Sequence, residues 1–190
     1  HAKYAGKWFT TMTFVQKTTF LNGRVQTWYE AMEVPGKLRI DIAPASAGQG
    51  MLFRNDTLYR FAAGKQAPAR AMKHPMLILL HDVHAVPLDT TVAKLKSLGF
   101  DLSKTHEATW EGKPVIVVGA LAGDTTSSQF WLERDRLLLV RLIDPTMDAR
   151  FGGYVKHGSA WVERRIEVWQ KGQLVQLEEY TDVKTGVTHE

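Results

Sequence analysis

Residues Thr10–Gly36 read TTMTFVQKTTFLNGRVQTWYEAMEVPG, and this stretch decides the fold. In its first part Met12, Phe14, Thr18 and Phe20 fall on one side of an extended chain, with Thr11, Thr13, Lys17 and Thr19 opposite. Side chains alternate between faces along a strand, so this is a strand buried on one face and wet on the other. Asn22-Gly23 follows. Asn-Gly is a strong hairpin signal, because both central residues of the favoured two-residue turn need positive φ. Val25–Val34 is then the returning strand, stopped by Pro35-Gly36.

The same pattern continues downstream. Leu38, Ile40 and Ile42 alternate with Lys37, Arg39 and Asp41, residues 43–50 form a small-residue loop, and Met51–Arg54 and Thr57–Phe61 make a hairpin around Asn55-Asp56. Near residue 67 the alternation stops. The apolar block at 76–80 fits a buried helix and a buried strand equally well. Next, Asp89 is expected to cap a helix over Thr90–Leu98, with Val92, Leu95 and Leu98 on one stripe and Gly99 as the stop. Strands resume at Thr105–Trp110, Pro114–Leu121, Ser128–Glu133, Leu137–Ile143, Arg150–Lys156, Trp161–Trp169 and Gln173–Asp182, joined by tight turns. Consecutive strands with short connections make an antiparallel meander.

A sheet of about ten or more twisted strands curls and acquires a concave face that apolar groups must fill. The expected fold is therefore α+β: a strongly curved antiparallel half-barrel with a short helical plug or lid from residues 72–98, all in a single domain over 1–190. A lid of this size leaves part of the hollow open to a hydrophobic ligand. The residues expected to face it are Met12, Phe14, Tyr29, Leu38, Ile40, Met51, Phe53, Tyr59, Phe61, Met76, Leu77, Leu80, Trp131 and Leu139, with Tyr29 and Tyr59 orienting a polar head group. A one-residue slip in any strand would invert its share of this set.

Composition narrows the function classes. The 190 residues are 44% hydrophobic and 23% charged, which is a globular balance. The net charge of +4 is spread without a basic run, so no nucleic-acid footprint is present. The longest apolar run, Pro75–Leu80, is far short of the ~18 residues that a membrane span needs. Cysteine is absent, which removes disulfides, thiolate metal sites and cysteine nucleophiles. The chain opens at His1 rather than methionine, so a targeting or lipid-anchoring segment is expected to have been removed.

Motifs for chemistry are weak. His74, His81 and His84 lie close together, but His81 and His84 are three apart, not in the His-Glu-x-x-His spacing of a zinc helix; they read as semi-exposed residues at a helix end. No Gly-x-Ser-x-Gly elbow, Gly-x-Gly-x-x-Gly run or Walker sequence occurs. Glu163, Glu167, Glu178, Glu179 and Asp182 sit on late strands beside Arg164 and Arg165, and cross-strand ion pairs on a solvated convex face account for them. The six tryptophans and six methionines read mainly as core and strand packing, with a subset at the hollow.

Several stretches carry a family resemblance. They are Tyr29–Asp41 (YEAMEVPGKLRID), Phe53–Phe61 (FRNDTLYRF), Phe151–Val162 (FGGYVKHGSAWV), Glu167–Trp169 and Glu179–Val183. In this order they resemble the periplasmic outer-membrane lipoprotein-sorting (LolA/LolB-like) superfamily over most of residues 10–183. The resemblance implies a half-barrel with a helical lid over a hydrophobic cavity that binds acyl chains without a cofactor. Two departures are visible. About nine residues precede the first strand where the family opens with a helix, so that helix is expected to be missing. Arg39 sits where the family's chaperones carry a cavity arginine that latches the lid, but its alternation sets it opposite Leu38 and Ile40.

The expected function is non-enzymatic binding or carriage of a lipid or lipoprotein acyl chain, in the periplasm or anchored to the envelope. Each methylene moved from water contributes ~0.8 kcal/mol. The alternatives are an envelope protein-binding or sensor module on the same fold, its open strand edges offering a partner surface, and a small cavity-based enzyme.

Overall fold

The computed structural model describes residues 1–188. The N-terminal half supplies β1 (Thr11–Phe20), β2 (Val25–Glu33), β3 (Lys37–Ile42), β4 (Gln49–Arg54), β5 (Thr57–Ala62), and the two-residue strands β6 (Lys65–Gln66) and β7 (Arg70–Ala71). Helices α1 (Pro75–Leu80) and α2 (Leu88–Ser97) follow. The C-terminal half is β8 (Thr105–Trp110), β9 (Lys113–Val118), β10 (Gln129–Glu133), β11 (Leu139–Asp144), β12 (Met147–Gly152), β13 (Val155–His157), β14 (Ala160–Val162), β15 (Arg165–Gln170) and β16 (Gln173–Thr185).

One 14-stranded sheet runs β6-β5-β4-β3-β2-β1-β16-β15-β12-β11-β10-β9-β8, with β7 also on β5. Its two ends do not meet, so the sheet is an open, curved half-barrel with the helices in its concavity. The first and last long strands pair at the centre, β1 against β16, so the middle of the wall is built from both ends of the chain. Directly opposed residues share a face. Met12 opposes Met32, Met32 opposes Leu38, and Leu38 opposes Phe53, which makes a continuous apolar row on the concave side.

Helix α1 closes that side. Pro75 occupies its first turn, where the missing N–H costs nothing, and the His74 ring accepts the Leu77 N–H at 3.4 Å. Leu77, Ile78, Leu79 and Leu80 are all buried. Helix α2 begins at Leu88 after Pro87, so Asp89 lies inside the first turn rather than capping it. Its end is as expected. Gly99 takes φ +89°, its N–H reaches the Lys96 carbonyl and the Phe100 N–H reaches Leu95, a Schellman stop with Phe100 and Leu95 both in the core.

One stretch departs from the expected strands. The predicted strands Arg150–Lys156 and Trp161–Trp169 are each split. Gly153 (φ +66°) turns the chain out of β12, β13 and β14 pair only with each other, and Arg164 returns to Gly152 by its N–H before β15 resumes the ladder. Glu163 sits in that break and turns inward, 2% exposed.

Candidate functional site

A cavity of about 630 Å³ lies between the concave wall and the helices. That volume is within the ~300–1,000 Å³ range of ligand sites. Met72, Met76, Leu77, Leu80 and Leu98 line it from the helical side, and Phe14, Met32, Leu38, Ile40, Met51, Phe53, Ile166 and Val168 from the sheet.

Of the residues expected to face the hollow, Phe14, Leu38, Ile40, Met51, Phe53, Met76, Leu77 and Leu80 lie on its wall. The others do not. Met12 is fully buried in the core beneath it, and Leu139 is core as well, its carbonyl accepting the Tyr154 hydroxyl at 2.6 Å. Tyr29 is 49% exposed, because Glu30 opposes inward Phe14 and Tyr29 therefore opposes Val15 on the convex face. Tyr59 and Phe61 point outward for the same reason: Leu58 opposes Phe53 on the inside, and Phe61 borders a separate surface depression near Gly50. Trp131 opposes Arg141, whose guanidinium lies 4.7 and 4.6 Å from the centroids of the Trp131 and Trp110 rings, which themselves meet edge to face. Arg39 is on the convex side too, paired with Asp41 at 2.8 Å, so it is no lid latch.

The cavity also has a polar wall, and it includes Glu163 and Glu178, expected on a solvated convex face. Glu30, Glu163, Glu178, Gln16, Tyr180 and His81 all line it. Glu167 and Glu179 do stand in ion pairs with Arg165 and Lys17, as expected of a solvated face. Glu163 and Glu178 do not, and both are buried. Glu178 accepts hydrogen bonds from the Gln176 amide at 2.6 Å and the Tyr180 hydroxyl at 3.1 Å. Glu30 Oε1 and Glu163 Oε2 have no hydrogen-bond partner among the described residues. The register held the signal for Glu30, since it directly opposes Phe14.

Burial dominates the electrostatics here. It pushes the Glu163 carboxyl up to about 8, with Glu178 adding to the rise and a backbone hydrogen bond opposing it. Burial raises Glu178 to about 7 against its two hydrogen bonds. Glu30 rises well above the usual carboxylate range, first from burial and then from Glu178 and Glu163. His81 and His84 are 2% and 8% exposed rather than semi-exposed. Burial lowers them to about 3 and about 4: Trp8 and Tyr4 pack against the His84 ring, and Phe9 and Trp8 against the His81 ring. His81 Nδ1 accepts the Trp8 indole N–H at 3.3 Å, so its proton is on Nε2, 3.8 Å from Glu163 Oε1. Burial drives both partners toward their neutral forms, so this is a close neutral contact rather than an ion pair. Among the described residues, no group of three or more His, Asp and Glu is arranged to hold a metal ion.

The arrangement, an open curved sheet over a helical lid, has counterparts among solved structures. A DUF1329 family protein from Desulfovibrio piger superposes with a TM-score of 0.58 at 13% identity, covering 96% of this chain and 88% of the other. A LolA superfamily protein from Nitrosomonas europaea superposes with a TM-score of 0.54 at 11% identity, again over 96% and 88%. The fold is LolA-like. No protein-family model matches the chain, and no curated protein matches it by sequence. Among the described residues, no helix is long and apolar enough to cross a membrane.

Proposed function

We propose that this protein holds a lipid or a lipoprotein acyl chain in its cavity as a carrier in the cell envelope, periplasmic or anchored there, and does no chemistry on it. The observation that carries this reading is the cavity itself: about 630 Å³, walled by methionine, leucine, isoleucine and phenylalanine, and roofed by the short helix α1. A chain of about twelve carbons transferred into it would gain on the order of 10 kcal/mol gross, before the costs of ordering. Thioether side chains suit such a site because they adapt to varied apolar shapes. The LolA-like fold supports the same reading, and through it the envelope location.

Native mass spectrometry of the purified protein tests this. The expected spectrum carries adducts of lipid mass that disappear on organic extraction and return with added lipid. A protein that is ligand-free as purified and takes up no alkyl compound afterwards would overturn it.

The inward carboxyls favour one second reading, a cavity-based enzyme, since raised carboxyl groups serve as general acids. Under the carrier reading, bound lipid is recovered chemically unchanged after prolonged incubation. A new product in the extract would favour the enzyme.

A further inference from the structure

We propose that the polar end of the ligand is a cation: the cavity takes an amine-bearing amphiphile, with its ammonium among Glu30, Glu163 and Glu178 and its alkyl part against the lid. This rests on the lipid-holding reading and adds the head group to it.

Three carboxyls from separate parts of the chain converge on one wall. Glu30 comes from β2, Glu178 from β16, and Glu163 from the break between β14 and β15. They lie near enough for each of the others to act on Glu30 and for Glu178 to act on Glu163. Glu30 is 6% exposed and Glu163 is 2% exposed, yet Glu30 Oε1 and Glu163 Oε2 are without hydrogen-bond partners among the described residues. A buried acceptor left empty destabilises a fold, and two on residues that line one cavity mark the place where a donor belongs.

The chemistry of that donor is constrained. Among the described residues, His81 stands 3.8 Å from Glu163, and its burial keeps it neutral. The other ionisable side chains lining the cavity are Arg70, Lys73, His74, Asp144 and Tyr180. None of them occupies an orphan oxygen, and Tyr180 already donates to Glu178. A carboxylate or phosphate head would add acceptors beside acceptors that already lack a donor. An alcohol brings one donor. A primary ammonium brings three donors, no acceptor and the complementary charge.

The test compares three probes with the same chain of about twelve carbons: an alkylamine, an alcohol and a carboxylate. All are used below their aggregation limit and followed by tryptophan fluorescence and calorimetry near neutral pH. The amine is expected to bind at least about tenfold tighter than either of the others, a gap of about 1.4 kcal/mol. Its binding should also release protons to the buffer, because the cation converts carboxyl groups to carboxylates; the alcohol should release none. Glu30→Gln and Glu163→Gln should each remove the amine's advantage over the other two probes, and a native circular dichroism spectrum of each variant shows that it folds. Equal or tighter binding of the carboxylate or alcohol, or an amine preference that survives both substitutions, overturns the cation inference and leaves the lipid reading standing. Failure of all three probes to bind overturns both.

Discussion

Glu163→Gln should stabilise the protein, and only above mildly acidic pH. The Glu163 carboxyl moves from an ordinary 4.5 to about 8 because burial penalises its charged form. A raised folded value means that the native state holds a proton the unfolded chain has released. The stability this group contributes is therefore fully present below 4.5 and lost progressively as pH rises through about 8. At 1.36 kcal/mol per unit, that rise corresponds to about 5 kcal/mol of destabilisation once the group is ionised. Glutamine cannot ionise and keeps the shape. Urea unfolding followed by tryptophan fluorescence should give nearly equal stabilities for wild type and variant near pH 5. The gap should open with pH, and the variant should lead by several kcal/mol near pH 9. A difference that stays constant across this range would refute the reasoning, because it would show that Glu163 contributes by packing and not through its buried charge.

The buried histidines act in the opposite direction. His74, His81 and His84 drop from 6.5 to about 4, 3 and 4, so their contribution is intact above 6.5 and falls as pH falls; the raised carboxyls offset this until they are protonated in both states, so the melting temperature of Glu163→Gln should decline from about pH 4.5 toward 3. Met51→Trp should fill the cavity and lower binding of a fluorescent alkyl probe by about tenfold or more, with a native circular dichroism spectrum; unchanged affinity would mean that the probe sits elsewhere. Arg39→Ala removes an exposed pair with Asp41 and should cost no more than about 1 kcal/mol, with probe affinity unchanged. A large loss of binding would reinstate Arg39 as a latch.

The architecture was legible where local signals agreed. The alternation over Thr11–Phe20, a hairpin at Asn22-Gly23 and the Gly99 stop each depend on a few neighbouring residues, and each is found in the structure, although the hairpin loop is Leu21–Gly23 and only Gly23 of the pair takes positive φ. The inward set was less legible, because hydrophobic residues occur on both faces of these strands. Tyr29, Tyr59, Phe61 and Trp131 look like wall residues by type, but the register sets them on the convex side, where the Trp131 ring packs against Arg141. The acidic wall was the hardest part to read. Glu163 and Glu178 stand beside arginines and glutamates that do face water, and a carboxyl turned into an apolar cavity contradicts the usual polar-outward rule. Such contradictions gather at functional sites. For Glu163 the cause is the Gly153 turn and the chain break that follows it, which depend on strands paired far apart in sequence.

The six methionines allow the most direct test of whether an alkyl chain occupies the hollow. Met32, Met51, Met72, Met76 and Met147 line the cavity, whereas Met12, in the core on the same concave face, lies outside its lining with 0% exposure. With methionine methyl groups isotopically labelled, titration of an alkyl ligand should shift or broaden the five lining signals and leave Met12 in place. Saturable binding that leaves all five lining methyls unmoved, or that moves Met12 alone, would contradict the account.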